Sequence, residues 1–273
     1  MKPALTRWPA SLSLLLILSG SSLPAADPPP AAKPVLLYSR HFNAHGETRY
    51  LPDGTFKDIL QRLRGAFEVR VHDEPLTPQT LAGIHLLLIA NPSDRAVEGH
   101  PPPPHFSASD IATLTRFVEQ GGGLILLGNQ ENHNLEVEDT NKLLARFGLQ
   151  FTNLFTDAKK LVLPKDTPVI GGLRWAYYTG NLVALDAKHP AKPRALVQND
   201  RAQKPVQGPR DTEGTLLAVA EPGRGRVAVV TDAGWLTDDA LQEKGIGGVT
   251  ITGQDNWEIF RRLAHWTAGR EAK

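Results

Sequence analysis

The 273-residue chain contains no cysteine. That absence removes every thiol nucleophile, every thiolate metal site and every disulfide, so in an oxidising compartment the protein has to stabilise itself by core burial. It also rules out a lipid-modified N-terminal cysteine. Membrane-spanning runs are missing too: the apolar centre of SLSLLLILSG (11–20) is too short to cross a bilayer comfortably. Nor is there a concentrated basic stripe. The 30 Lys and Arg are scattered among 29 Asp and Glu for a formal net charge of +1, which argues against nucleic acid as a partner.

What is there begins with an export pattern. Lys2 and Arg7 precede the apolar run, and small residues follow it in SSLPAA (21–26), the order of a secretory leader. Residues 1–26 are therefore expected to be a signal peptide, and the protein periplasmic or secreted, with no membrane span once the leader is removed. Residues 27–33 form a Pro-rich spacer that should be extended.

Beyond the spacer, PVLLYS (34–39), IHLLLIANP (84–92), GLILLG (123–128) and RVAVVTD (226–232) are short continuous apolar runs, the pattern of parallel strands buried on both faces. FEVRVHD (67–73) alternates like a half-exposed strand. Helical stripes lie between: Phe56, Ile59, Leu60 and Leu63; then Ile111, Leu114, Phe117 and Val118, opened by a Ser107/Asp110 capping box and stopped by Gly121. A third carries Leu143, Leu144 and Phe147, capped by Asp139 or Thr140 and stopped by Gly148. The last, 255–267, should open on a second capping box, Asp255 with Glu258. From 151 to 225, short strand-like pieces separated by Gly, Pro and Asp suggest a β-rich insertion. The expectation is one α/β domain over 34–269, a mainly parallel sheet flanked by helices, with added antiparallel strands in the C-terminal half.

Ligands of such sheets sit at the C-terminal ends of the strands. There the sequence places His41, Asn43, His45 and Glu47; Asn91, Ser93 and Asp94; Asn129, Gln130, Glu131, Asn132 and His133; and Asp232 with Trp235. The ligand-binding candidates among them are His45, Glu47, Asn91, Asn129, Glu131, His133, Asp232 and Trp235. The asparagines also suit left-handed turns. His41, His45 and Glu47 are donor types that zinc favours, and with Glu131 and His133 on the same edge the group is large enough to supply a four-ligand site. The spacing is not the helical one that puts two imidazoles on one face, and neither metal nor cofactor is expected. Asp232 is placed to orient a sugar hydroxyl and Trp235 to stack on the ring, whereas Trp175, Tyr177 and Tyr178 belong by default to the core.

Taken together, LLIANP (87–92), SASDIATLTRFVEQGGGLILLGNQ (107–130), TNKLLARFG (140–148), GRGRVAVVTDAGWL (223–236) and the late Asp255-Asn256 resemble the class I glutamine amidotransferase-like superfamily. The likeness is to its non-catalytic branch of GIFT-type domains and exported bacterial proteins of unassigned function. It implies a flavodoxin-like sheet. It also implies that a reactive cysteine would stand in the turn after 123–128, inside a Gly-x-Cys-x-Gly pattern. Here the turn reads Gly128-Asn129-Gln130-Glu131, with neither cysteine nor serine, and an amide is not a nucleophile. Cysteine-dependent glutamine hydrolysis is excluded, and no catalytic residue is expected. The expected function is an exported, non-catalytic module binding a small ligand, a glycan or a protein partner in the cell envelope. The alternatives are a carbohydrate-directed or metal-assisted hydrolase using the His and Glu residues of the sheet edge, and an envelope-assembly scaffold.

Overall fold

The apolar runs become the central strands because each offers a hydrophobic side chain to both faces. In the computed structural model, which describes residues 32–270, Leu36, Leu88, Ile125 and Val230 face one core while Leu37, Leu87, Leu126 and Val229 face the other, the period-two alternation of a sheet covered on both sides. These strands are β1 (Val35–Ser39), β3 (Leu86–Ala90), β4 (Gly123–Leu127) and β11 (Arg226–Val230). They pair in parallel in the order β1-β3-β4-β11, and β2 (Glu68–His72) adds in parallel outside β1. The expected leader lies outside the described residues, as does the spacer up to residue 31. The described residues from Lys33 onward form one compact unit. No helix among the described residues is long and apolar enough to cross a membrane.

Helices α1 (Lys57–Leu63) and α5 (Asn256–Thr267) cover the first face, α2 (Ala108–Glu119) and α3 (Glu138–Leu144) the second. The Ser107/Asp110 capping box of α2 forms in both directions. The other two caps differ from expectation. Glu136 caps α3 from outside the helix, its two oxygens accepting the backbone N–H groups of Asp139 and Thr140 at 2.8 Å each. Asp255 makes no side-chain cap on α5, because its carboxylate is held by the Arg174 guanidinium at 3.0 Å, and Glu258 turns to Arg261 and Arg262. An arginine offers a carboxylate two charged donors, a stronger partner than one helix N–H. The C-terminal turn of α5 lies directly over the start of β4: a Cβ on Gly123 would stand 2.3 Å from the Thr267 carbonyl oxygen, which only glycine avoids.

The insertion supplies the antiparallel strands. β10 (Gly214–Ala220) runs against β11, against β9 (Arg194–Asn199) and briefly against β8 (Val183–Leu185), and β8 pairs with β5 (Leu149–Phe151). β6 (Lys159–Val162) and β7 (Arg174–Tyr177) make a separate two-stranded sheet. A short helix, α4 (Asp238–Leu241), follows the turn after β11. The architecture is the expected flavodoxin-like α/β fold. Elements without a sequence expectation as such include β5, β7, α4 and the 3-10 turns Glu131–His133 and Gly234–Leu236.

Candidate functional site

At the C-terminal ends of β1, β3 and β4 the loops are stitched to one another. Asn43 donates its amide to the Ala90 and Asn91 carbonyls, at 2.9 and 3.1 Å, and Ser93 accepts the Ala44 N–H at 3.0 Å. Asn91 adopts a left-handed backbone (φ 47°), its N–H bonds the Leu127 carbonyl at 2.7 Å, and its side chain reaches the His133 carbonyl at 3.0 Å. Asn91 is thus a structural bracket between two loops, and the turn preference of asparagine accounts for its backbone.

The turn after β4 is occupied by a locked asparagine. Asn129 is buried; its amide nitrogen donates to the Tyr50 hydroxyl at 2.6 Å, and its oxygen accepts the Gln130 N–H at 2.8 Å. That oxygen also meets His133 Nδ1 at 2.9 Å. Because the oxygen can only accept, Nδ1 carries the proton, and a neutral His133 keeps Nε2 as an acceptor. Burial, together with the Arg49 and Arg210 charges, lowers the His133 pKa from its ordinary value, so the imidazole is neutral at pH 7. Tyr50 is buried as well, and burial pushes its hydroxyl pKa upward, with the Asp232 charge adding to it. The Tyr38 hydroxyl donates to the Tyr50 carbonyl, which fixes this loop from beneath.

Two arginines flank the turn, each anchored by a carboxylate. Arg49 binds Glu47 in a fork, Nε to Oε1 at 3.1 Å and Nη2 to Oε2 at 2.7 Å. Glu47 Oε1 also accepts the Thr48 and Arg49 N–H groups, and its pKa falls: burial opposes the fall, but the Arg49 hydrogen bonds and charge outweigh it. Arg210, from the loop between β9 and β10, binds Asp157 through Nε and Nη2 at 2.9 and 2.7 Å, and its Nη1 donates to the buried Gln130 side chain at 2.9 Å. Its guanidinium also lies over the Phe155 ring, 5.9 Å from the centroid. Arg49, Tyr50 and Arg210 were not among the residues the sequence placed at this edge, and Gln130 was placed there without being a ligand-binding candidate. The Glu47-x-Arg49 spacing was visible, whereas Arg210 lies 80 positions from Gln130 and gave no local signal.

Two candidates are corrected by burial. Trp235 is fully enclosed, its ring edge-on to Trp175 and Phe260 with centroids 5.3 and 6.0 Å apart, so it cannot stack on a sugar. Asp232 is equally enclosed: its oxygens accept the Tyr178 N–H at 2.9 Å and the Gly234 N–H at 2.6 Å. Desolvation raises its pKa to about 7, against those N–H groups, which lower it. It organises the β7 and β11 loops and presents nothing to a ligand. Trp175, Tyr177 and Tyr178 are core residues, as expected by default.

The histidine cluster does not assemble. His41 turns to the Asp73 carbonyl at 3.2 Å and His45 is exposed. Glu131 belongs to the 3-10 turn, and its side chain lies outside what the structure describes. Among the described residues, the group whose ligand atoms fall within 4.8 Å of one another is instead His105, Glu136 and Asp139. There Glu136 is committed to capping α3, and the Lys142 ammonium already sits on Asp139 at 2.7 Å. This is an ion-paired helix start.

With this geometry in hand, the family model described as the IFT52 GIFT domain matches residues 41–176, just under half of the chain. That span runs from the loop after β1 through the locked turn to β7. The intraflagellar transport protein 52 homolog of Mus musculus is 20% identical over 112 residues, 41% of this chain and 24% of that protein, so the chain matches only about a quarter of that relative's length. Among solved structures, the N-terminal domain of mouse IFT52 superposes with a TM-score of 0.62 at 16% identity, covering 85% of this chain and 96% of that one. A cytoplasmic protein from Salmonella typhimurium gives 0.55 at 12% identity, covering 86% and 98%. A ThuA-like protein from Parabacteroides merdae gives 0.52 at 15% identity, covering 88% and 92%. At these identities the likeness is one of fold, a flavodoxin-like α/β sheet of the ThuA-like kind, consistent in part with the amidotransferase-like expectation.

Proposed function

We propose that this chain is an exported, non-catalytic binding module of the cell envelope. The edge of its sheet holds a ligand or partner where active amidotransferases hold a nucleophile. One observation carries the reading: Asn129, at the position of the reactive turn, is buried and held in place by Tyr50, Gln130 and His133. A nucleophile needs an exposed atom with a lone pair and a base to take its proton. Here the turn presents a buried amide whose oxygen accepts two hydrogen bonds and whose nitrogen donates to Tyr50, and the neighbouring imidazole uses its Nδ1 to hold that amide. The likeness to a domain of an intraflagellar transport protein supports a protein partner as one form of that ligand. Export is inferred from residues 1–26 alone.

The hydrolase alternative, built from His and Glu residues of the sheet edge, loses its arrangement: Glu47 is bound by Arg49 through both oxygens, His45 is exposed, and His133 commits its Nδ1 to Asn129. The test is to incubate the full chain with chromogenic glycosides, esters and glutamine, and to screen neutral and charged ligands by thermal shift. The expected result is ligand-dependent stabilisation without product. Turnover above the blank that Asn129→Ala or His133→Ala abolishes would refute the reading.

A further inference from the structure

The paired arginines beside the locked turn carry the reading further. Arg49 and Arg210 come from loops more than a hundred residues apart, yet each uses the same edge of its guanidinium, Nε with Nη2, on its own carboxylate. The carboxylates lie behind and the cations in front. Glu47 and Asp157 side chains are 13% and 6% exposed, against 39% and 44% for Arg49 and Arg210. What approaches this edge meets N–H donors held in fixed orientation, with the balancing negative charge out of reach. Among the described residues Arg49 makes no hydrogen bond through Nη1, and Arg210 has one Nη1 contact, to Gln130. Both arginines are tied to His133 through Asn129: that residue bonds Tyr50, next to Arg49, as well as Gln130, which Arg210 holds, and its oxygen meets the His133 imidazole. Both guanidinium charges act on that imidazole, and Glu47 is the opposing charge.

From this cluster the geometry points to a binding site for a carboxylate group, held between Arg49 and Arg210 with His133 Nε2 as the third contact. The proposal rests on the sheet edge being a binding surface and adds the chemistry of what it binds. Preorganised guanidiniums recognise planar oxyanions through charge-assisted, paired hydrogen bonds. Two cations already matched by two carboxylates leave no excess positive charge, which suits a monoanion over a doubly charged phosphate. Proton linkage follows from the tautomer. With Nδ1–H fixed on Asn129, neutral Nε2 can only accept, so it repels a carboxylate until it takes up a proton. Binding therefore draws in one proton and tightens as the pH falls toward the range where His133 titrates. Phe155, half-buried under Arg210, and Leu154, 53% exposed next to it in sequence, give the body of the ligand an apolar rest.

The test is isothermal titration of the full chain with two monocarboxylates, D-glucuronate and acetyl-glycyl-alanine. The neutral partners are glucose and the dipeptide amide, and inorganic phosphate is a further arm. At least one carboxylate should bind, its neutral partner about tenfold or more weakly, and Arg49→Gln and Arg210→Gln should each weaken it about tenfold or more. Which carboxylate binds tells an acidic sugar from a peptide C-terminus. Titration in buffers of different ionisation enthalpy should show uptake of about one proton, which His133→Gln abolishes. If Arg210→Gln unfolds because Asp157 is left unpaired, Arg210→Lys keeps the charge while losing the fork and serves in its place. Equal binding of neutral partners, preference for phosphate, binding of neither carboxylate, or indifference to both arginines would each overturn the carboxylate site. Binding of a neutral ligand without turnover would overturn it while leaving the non-catalytic reading intact, whereas turnover of any bound probe removes that reading itself.

Discussion

Asp232 makes the folded state sensitive to pH between the ordinary carboxylate range and neutrality, and Asp232→Asn should abolish that sensitivity. The group is 1% exposed, and desolvation lifts its pKa from 3.8 to about 7, although backbone N–H groups of Tyr178, Gly234, Thr179 and Trp235 pull the other way. A raised folded-state pKa means that the native protein holds a proton which the unfolded chain has already released. Its stabilising contribution is complete below about pH 4 and is lost as the pH rises through about 7. Roughly three pKa units at about 1.36 kcal/mol each give ~4 kcal/mol, of which about 3–4 kcal/mol should disappear between pH 4 and pH 7.5. Carboxylates held low act in a different window. Glu258, at about 2 beside Arg261 and Arg262, and Asp255 beside Arg174 contribute above the usual carboxylate range and are lost only as the pH falls below it. Urea unfolding followed by tryptophan fluorescence across that interval isolates the effect as the stability difference between wild type and Asp232→Asn. That difference should fall by about 3–4 kcal/mol from pH 4 to pH 7.5. A difference constant to within about 1 kcal/mol would refute the reasoning and mean that the N–H donors, and not desolvation, govern this carboxyl.

Two further outcomes follow from packing and capping. Trp235→Ala removes a ring enclosed by Trp175 and Phe260 and should cost about 3–5 kcal/mol in urea unfolding, while the affinity of the remaining folded protein for any ligand of the Arg49–Arg210 site is unchanged. Ser107→Ala deletes one half of the α2 capping box and should cost about 1 kcal/mol, measurable as a lower urea midpoint with an unaltered slope.

The frame of the molecule was legible because it is written in runs long enough to show a period. Leu86–Ala90 and Gly123–Leu127 are apolar on both faces, and Ser107 with Asp110 marks the start of α2 at a fixed spacing. β5 and β7 were not, since three or four residues such as LQF or RWAY show no period and gain strand geometry only from the partners they meet. Caps failed where a distant arginine competed: Asp255 sits where a helix opens, but Arg174, 81 residues away, takes its carboxylate. The site divided along the same line. His133, Asn129 and Glu47 were found because they follow strands in sequence. Trp235 and Asp232 follow a strand too, yet α5 and β7 close over them, and burial of that kind is a tertiary fact. Arg210 was invisible, because nothing within 205–214 distinguishes it from any solvated loop arginine until Asp157 and Gln130 are brought beside it.

Arg210 belongs to the β-rich stretch after α3, which joins the sheet through β5, β8, β9 and β10. Its loop is pinned near the start of β10 through two adjacent residues: Arg210 by Asp157 and Gln130, and Asp211 by the Lys159 ammonium. Fastening at those points divides labour within the polypeptide. The parallel strands furnish a rigid floor, and a single surface strap furnishes half of what a visitor feels. Lengthening, shortening or rewriting that strap can retune selectivity while the floor keeps its register, so diversification among descendants of this chain should concentrate there.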